Sequence, residues 1–129
     1  MLAQACATPQ LEICGLLSAT HGRAMRCIPV PNVAERPQCR FTMDPAHLIE
    51  AFRDMRQRGE ELYAIYHSHP QGPGGPSSTD IEQAAYPDAL YLIIALHGVE
   101  PPGLNAYRIR NGAVQPVELK TDGDHNTRY

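Results

Sequence analysis

Residues 60–80 read EELYAIYHSHPQGPGGPSSTD. Glu60 to Tyr66 has strand character and runs directly into His67-Ser68-His69-Pro70. Gln71 to Pro76 is a loop of glycine and proline, and Ser77 to Asp80 has the form of a helix start, with the helix continuing to Ala85 before Pro87 stops it. In an extended strand, residues two apart share a face, so His67 and His69 offer two imidazole nitrogens to one point from a rigid backbone.

Working outward, the upstream segment Asp44-Pro45 is an N-cap and first-turn signature for a helix from Pro45 to about Arg58, with Leu48, Ile49, Phe52 and Met55 on one face and Gly59 at its end. That face should cover a sheet. Further upstream, Leu2 to Ala7 reads as a short helix, Leu11 to Ala19 as a strand with Glu12 at its start, and Arg23 to Val30 as a second strand turned at His21-Gly22. Pro29 and Pro31 place this second strand at an edge or at the end of pairing. Residues 31–39 are expected to be irregular, with a short extended piece at Arg40 to Met43. Downstream, Leu90 to Leu96 has the composition of a strand buried on both faces, and Asn105 to Arg110 with Ala113 to Leu119 forms a hairpin turned at Asn111-Gly112. The order predicts one mixed α/β domain over residues 1–120, its sheet covered by helices, and a disordered tail at 121–129.

Composition narrows the function. A chain of 129 residues with 43% hydrophobic content suits a single core, and a net charge of -3 with scattered Lys and Arg disfavours nucleic acid. No apolar run approaches the roughly 20 residues that cross a bilayer, and MLAQACATPQ lacks the pattern of a signal peptide, so no membrane partner and a cytoplasmic location are expected. Cys6, Cys14, Cys27 and Cys39 form no C-x-x-C pair and are expected to be free; Cys14 and Cys27 lie in apolar runs and should be buried.

An H-x-H pair alone is more often two partly exposed histidines than a metal site. Here residues 70–76 are followed by Ser77-Ser78-Thr79-Asp80, whose carboxylate can return as a third, oxygen ligand. Three protein ligands leave one position open, as in a catalytic rather than a structural zinc site. Ser77 and Asp80 also make a plain helix cap, and the two roles are compatible. Glu12, isolated in an apolar strand, is expected to face solvent, and its position alone assigns it no role, so the general base stays open at this point.

Together, Glu12, His67-Ser68-His69-Pro70, Ser77 and Asp80 resemble the JAMM motif: a glutamate followed distantly by H-[ST]-H, seven residues, then S-x-x-D. The flank PQLEICGLL, Pro9 to Leu17, is similar to the segment that carries the family glutamate. The resemblance spans about Leu2 to Leu119 and points to the JAMM (MPN+) zinc metallopeptidases of the compact prokaryotic type. It implies a curved, largely antiparallel mixed sheet flanked by helices, similar to cytidine deaminases, and one Zn2+ per chain held by His67, His69 and Asp80. It further implies Glu12 as general base and Ser77 as oxyanion donor, while His47 and His97 match no motif position.

The compact members resemble processors of ubiquitin-like sulfur-carrier proteins, which cut an amide or isopeptide bond after the carrier's terminal glycines. Gly74 and Gly75 would then let such a tail approach the metal, unless 71–76 is only a connecting loop. Domains that this chain resembles have a longer first helix, so the expectation is either a truncated start or an open sheet edge covered by a second copy, a homodimer. Two rivals are a non-catalytic interaction module of the same fold, whose sequences usually break the motif, and a DNA-repair-associated branch with an additional helical region that these residues do not supply. The leaving group is not legible in the sequence.

Overall fold

The computed structural model describes residues 1–71, 74–96 and 103–119, so the expected tail at 121–129 and His97 lie outside the described residues. In chain order the elements are α1 (Leu2–Ala7), β1 (Cys14–Thr20), β2 (Arg23–Val30), α2 (Pro45–Gln57), β3 (Glu61–His69), α3 (Ser78–Gln83), β4 (Leu90–Ala95), β5 (Gly103–Arg110) and β6 (Ala113–Val117). Among the described residues they build one six-stranded sheet of order β2-β1-β3-β4-β5-β6. Neighbouring strands are antiparallel except for β3 and β4, which run parallel.

Local chemistry accounts for most of these elements. The hairpin turns His21-Gly22 and Asn111-Gly112 both have positive φ at their two central residues, the backbone that matches strand twist. Pro29 sits on β2, an edge strand, where a missing N–H costs no ladder bond. Asp44 caps α2 by accepting from the His47 N–H, with Pro45 in the first turn. The buried stripe of α2 is Ala51 and Met55, flanked by half-buried Leu48 and Phe52. Ile49, expected on that stripe, is 61% exposed, because a step of about 100° per residue carries it past the sheet-facing side.

Alternation along the strands sorts the core into two layers. Leu16, Ile65, Tyr91 and Ile109 pack toward α2 and, through Ile81 and Tyr86, toward α3. Leu17, Ala64, Tyr66, Leu92 and Ala106 pack on the opposite face against Ala5 of α1. Tyr66 lies across Gly15, where a Cβ would come within 2.2 Å of its hydroxyl, and that hydroxyl donates to Gln4 of α1 at 2.6 Å. A side chain at position 15 would therefore push the ring off the helix it anchors. All four cysteines are free; Cys14 is buried, but Cys27, expected to be buried, is exposed because β2 is an edge strand. Burial, with the Glu12 carboxylate adding to it, pushes the Cys14 thiol up to about 12, so it is an inert packing group.

Two strand boundaries differ from expectation in a way that shapes the site. β1 begins at Cys14 rather than Leu11, leaving Glu12 outside the strand. β3 continues through His69 instead of ending at Tyr66, because its ladder with parallel β4 runs on to the His69–Ala95 pair.

Candidate metal centre

Since β3 stays extended to its last residue, His67 and His69 project from one face on consecutive same-side positions, and both are buried. Their Nε2 atoms lie 3.0 Å apart. Asp80 reaches them from α3: its Oδ2 is 3.1 Å from each Nε2. The carboxylate is aimed by a capping box, in which the Asp80 N–H donates to Ser77 Oγ at 3.0 Å and the Ser77 N–H donates to Asp80 Oδ2 at 2.9 Å. The third vertex of the triangle is thus also the N3 residue of the capping box, with Ser77 as the N-cap. Accepting the Asp80 N–H leaves the exposed Ser77 hydroxyl its own proton to donate.

The electrostatics follow from these contacts. Burial works to raise the Asp80 carboxyl, but the hydrogen bonds from His67 and His69 outweigh it and hold the group well below the usual carboxylate range. Burial lowers the pKa of His67 and so favours the neutral ring, the form that presents a lone pair. Phe41 stacks on that ring at 4.4 Å between centroids, and it also borders an open cavity of about 440 Å³ whose walls include Arg36, Arg40 and Gln83.

Glu12 is buried at 5% exposure, against the expectation that it faces solvent. Its Oε1 has no hydrogen-bond partner among the described residues, and burial, only partly offset by the charge of His69, pushes its carboxyl up to about 7. Ser68 explains how the segment is held. Alternation sends it away from the histidine face, and its hydroxyl accepts from the Ile13 N–H at 2.9 Å and donates to the Leu11 carbonyl at 3.4 Å. One side chain therefore grips both neighbours of Glu12. Sequence reading gave Ser68 no task, although a hydroxyl between two same-face histidines in an apolar strand has to find a buried partner.

Two donor sets are possible in this cluster. Ligand atoms of Glu12, His67 and His69 lie within 4.8 Å of one another, whereas those of His67, His69 and Asp80 lie 3.0–3.1 Å apart. Donors about 2.0–2.1 Å from a tetrahedral zinc stand roughly 3.3 Å from each other, so the set containing Asp80 has the right size. The buried, partnerless Glu12 oxygen then fits a group facing the remaining position.

Gly74 and Gly75, the two described glycines of the connecting loop, differ. The Gly74 carbonyl accepts from the Tyr107 hydroxyl at 3.1 Å and the Asn105 amide at 3.4 Å, and a Cβ at this position would meet the Asn105 amide nitrogen at 2.4 Å. A Cβ at Gly75 would make only ordinary contact with Tyr107, at 3.7 Å. His47 belongs to the Asp44 cap of α2 and takes no part in the cluster.

Sheet and cluster together define an α/β domain whose candidate metal centre sits at the end of a central strand, completed by a helix cap. The chain belongs to the prokaryotic homologs of the JAB domain, a family whose pattern matches residues 1–110. It is 36% identical over 112 residues to the CysO-cysteine peptidase of Mycobacterium tuberculosis, covering 84% of this chain and 76% of that protein. It is 34% identical over 92 residues to the desampylase of Haloferax volcanii, covering 70% and 66% of the two chains. A protein from Desulfitobacterium hafniense, known from its solution structure, superposes with a TM-score of 0.77 at 31% identity, covering 99% of this chain and 92% of that one. No helix among the described residues is long and apolar enough to cross a membrane.

Proposed function

We propose that this chain is a zinc-dependent peptidase that hydrolyses an amide or isopeptide bond after the C-terminal glycines of a ubiquitin-like or sulfur-carrier protein. The observation that carries the reading is the 3.0–3.1 Å triangle of His67, His69 and Asp80 with the buried Glu12 carboxyl beside it. The peptidase and desampylase names of its relatives support the same class of reaction.

In this reading His67, His69 and Asp80 hold one zinc ion. When bound, zinc supplies Lewis-acid polarisation of the scissile carbonyl and lowers the pKa of water toward neutrality. Glu12, with its carboxyl near 7, takes a proton from the attacking water and returns it to the departing amine. The Ser77 hydroxyl donates to the oxygen on which charge develops. Gly74 and Gly75 border the path of the glycine-ended tail, the first keeping the loop against Asn105 and the second leaving room.

Elemental analysis combined with cleavage of a carrier protein extended beyond its terminal glycines tests this reading. The wild type should hold about one zinc and release the extension, His69→Ala should lose both properties, and Glu12→Gln should keep zinc but lose turnover. A wild type that takes up no zinc after reconstitution would instead mark the chain as a non-catalytic interaction module.

A further inference from the structure

Glu12 lies just ahead of β1, where no ladder holds its peptide, yet both of its backbone groups are engaged. Its N–H donates to the Pro37 carbonyl at 2.7 Å, and its carbonyl accepts from Asn32 Nδ2 at 2.9 Å. Both partners come from the irregular segment between β2 and α2. Asn32 also closes that segment on itself: Nδ2 donates to the Arg40 carbonyl at 2.9 Å, while Oδ1 accepts from the Ala34 N–H at 3.0 Å and the Thr42 N–H at 2.9 Å. Two donors and two acceptors exhaust the capacity of one amide, and two carbonyls opposite two N–H groups fix which way round it sits. Backbone bonds from Val33 N–H to Thr42 carbonyl and from Asp44 N–H to Pro31 carbonyl reinforce the neck of the loop.

We infer that Asn32 is a positioning residue for the reaction: it closes the 33–42 loop and, through that loop, fixes the peptide of Glu12 so that its carboxyl faces the metal site. The inference rests on the peptidase reading for its kinetic consequence and on the hydrogen bonds alone for its structural one. Ser68 holds the peptides on either side of Glu12 from β3, and Asn32 holds the Glu12 peptide itself from the loop. Ser68 joins the two histidines within β3, and the loop reaches the same pair from outside the strand, through Phe41 on His67.

The test uses the zinc-loaded full chain with Asn32→Asp, which keeps the shape but turns acceptor oxygens toward two carbonyls, and Asn32→Ala as a second variant. Asn32→Asp should lower kcat about 10²-fold, as expected for a displaced reacting group, with zinc retained. KM should stay within about threefold, because substrate binding does not depend on the base. Introduced into Glu12→Gln, either change should cause little further loss. A drop that adds in full on that background, or that follows zinc loss, would show Asn32 acting on something other than Glu12 and overturn the inference; so would an unchanged kcat.

Amide exchange supplies a readout that needs no substrate. The Glu12, Ala34 and Thr42 N–H groups should be protected in the wild type and exchange at least about tenfold faster in Asn32→Asp. Fast exchange at these amides in the wild type overturns the inference even if neither variant folds. If the wild type cleaves no carrier extension, the peptidase reading fails first and takes the kinetic role with it, while exchange still decides whether Asn32 holds Glu12.

Discussion

Two carboxylates stand beside the same pair of histidines, and they have been given opposite surroundings. Asp80 comes from the first turn of a short helix, where two imidazoles and a backbone N–H converge on one oxygen and keep it ionised. Glu12 comes from a buried segment whose neighbours are gripped while one carboxyl oxygen has no partner among the described residues, and its pKa rises to about 7. A group held ionised is suited to bind a cation, and a group poised near neutrality is suited to carry a proton. In the proposed function, hydrogen bonds and burial, rather than the choice of Asp or Glu, would set the division of labour.

The sharpest way to break this comparison is to neutralise each acid in turn. Asp80→Asn should take zinc from about one per chain to near none under metal-limited conditions, with activity lost alongside. Glu12→Gln should keep the metal and lower kcat by about 10²–10⁴-fold. Zinc loss in Glu12→Gln with retention in Asp80→Asn would exchange the two roles and make Glu12 the ligand.

A pH series on the metal-free chain separates the acids by sign. Glu12 has a folded pKa raised from 4.5 to about 7, so its contribution to stability is full below 4.5 and is lost as pH rises toward 7. Asp80 has a lowered pKa, so its contribution is present at neutral pH and lost only in strong acid. His67, whose pKa is lowered, contributes with the opposite sign in both proteins, so denaturant melts from pH 4 to 8 should show the wild type losing stability relative to Glu12→Gln; a constant difference between the two would show that Glu12 does not titrate in this window.

Smaller effects probe the supports of each side. Ser68→Ala leaves the Ile13 N–H unpaired on the Glu12 side and should cost about 1–3 kcal/mol in chemical denaturation. Gly74→Ala, on the loop leading to Ser77 and Asp80, drives a methyl against the Asn105 amide and should cost about 1 kcal/mol, whereas Gly75→Ala should be close to neutral. Equal melting shifts for the two glycine variants would remove the distinction between them.

The residues 60–80 carried much of this in plain view. Strand into histidines and Ser-to-Asp helix start are local patterns, and both stand in the structure. The Asn-Gly turn and the cap of α2 were equally readable, because each depends on neighbours in the chain; Pro29 and Pro31 limited β2 to an edge or the end of pairing, and the sheet order gives the edge. Most of the errors have a common cause. Where β1 begins, how far β3 continues, and whether Cys27 is covered all depend on elements distant in sequence, whereas Ile49 was misplaced by the phase of its own helix.

By itself, then, the sequence determined the order of elements, the mixed α/β class and the two histidines on one strand face, since period and capping are properties of short stretches. Only the tertiary structure decided that Glu12 is buried beside those histidines, that Ser68 and Asn32 hold its surroundings, and that a side chain at Gly74 would meet Asn105 where one at Gly75 would make only ordinary contact. Those outcomes rest on hydrogen bonds and contacts between segments 20 to 57 residues apart, and the pairing of such segments is fixed only when the whole sheet has formed.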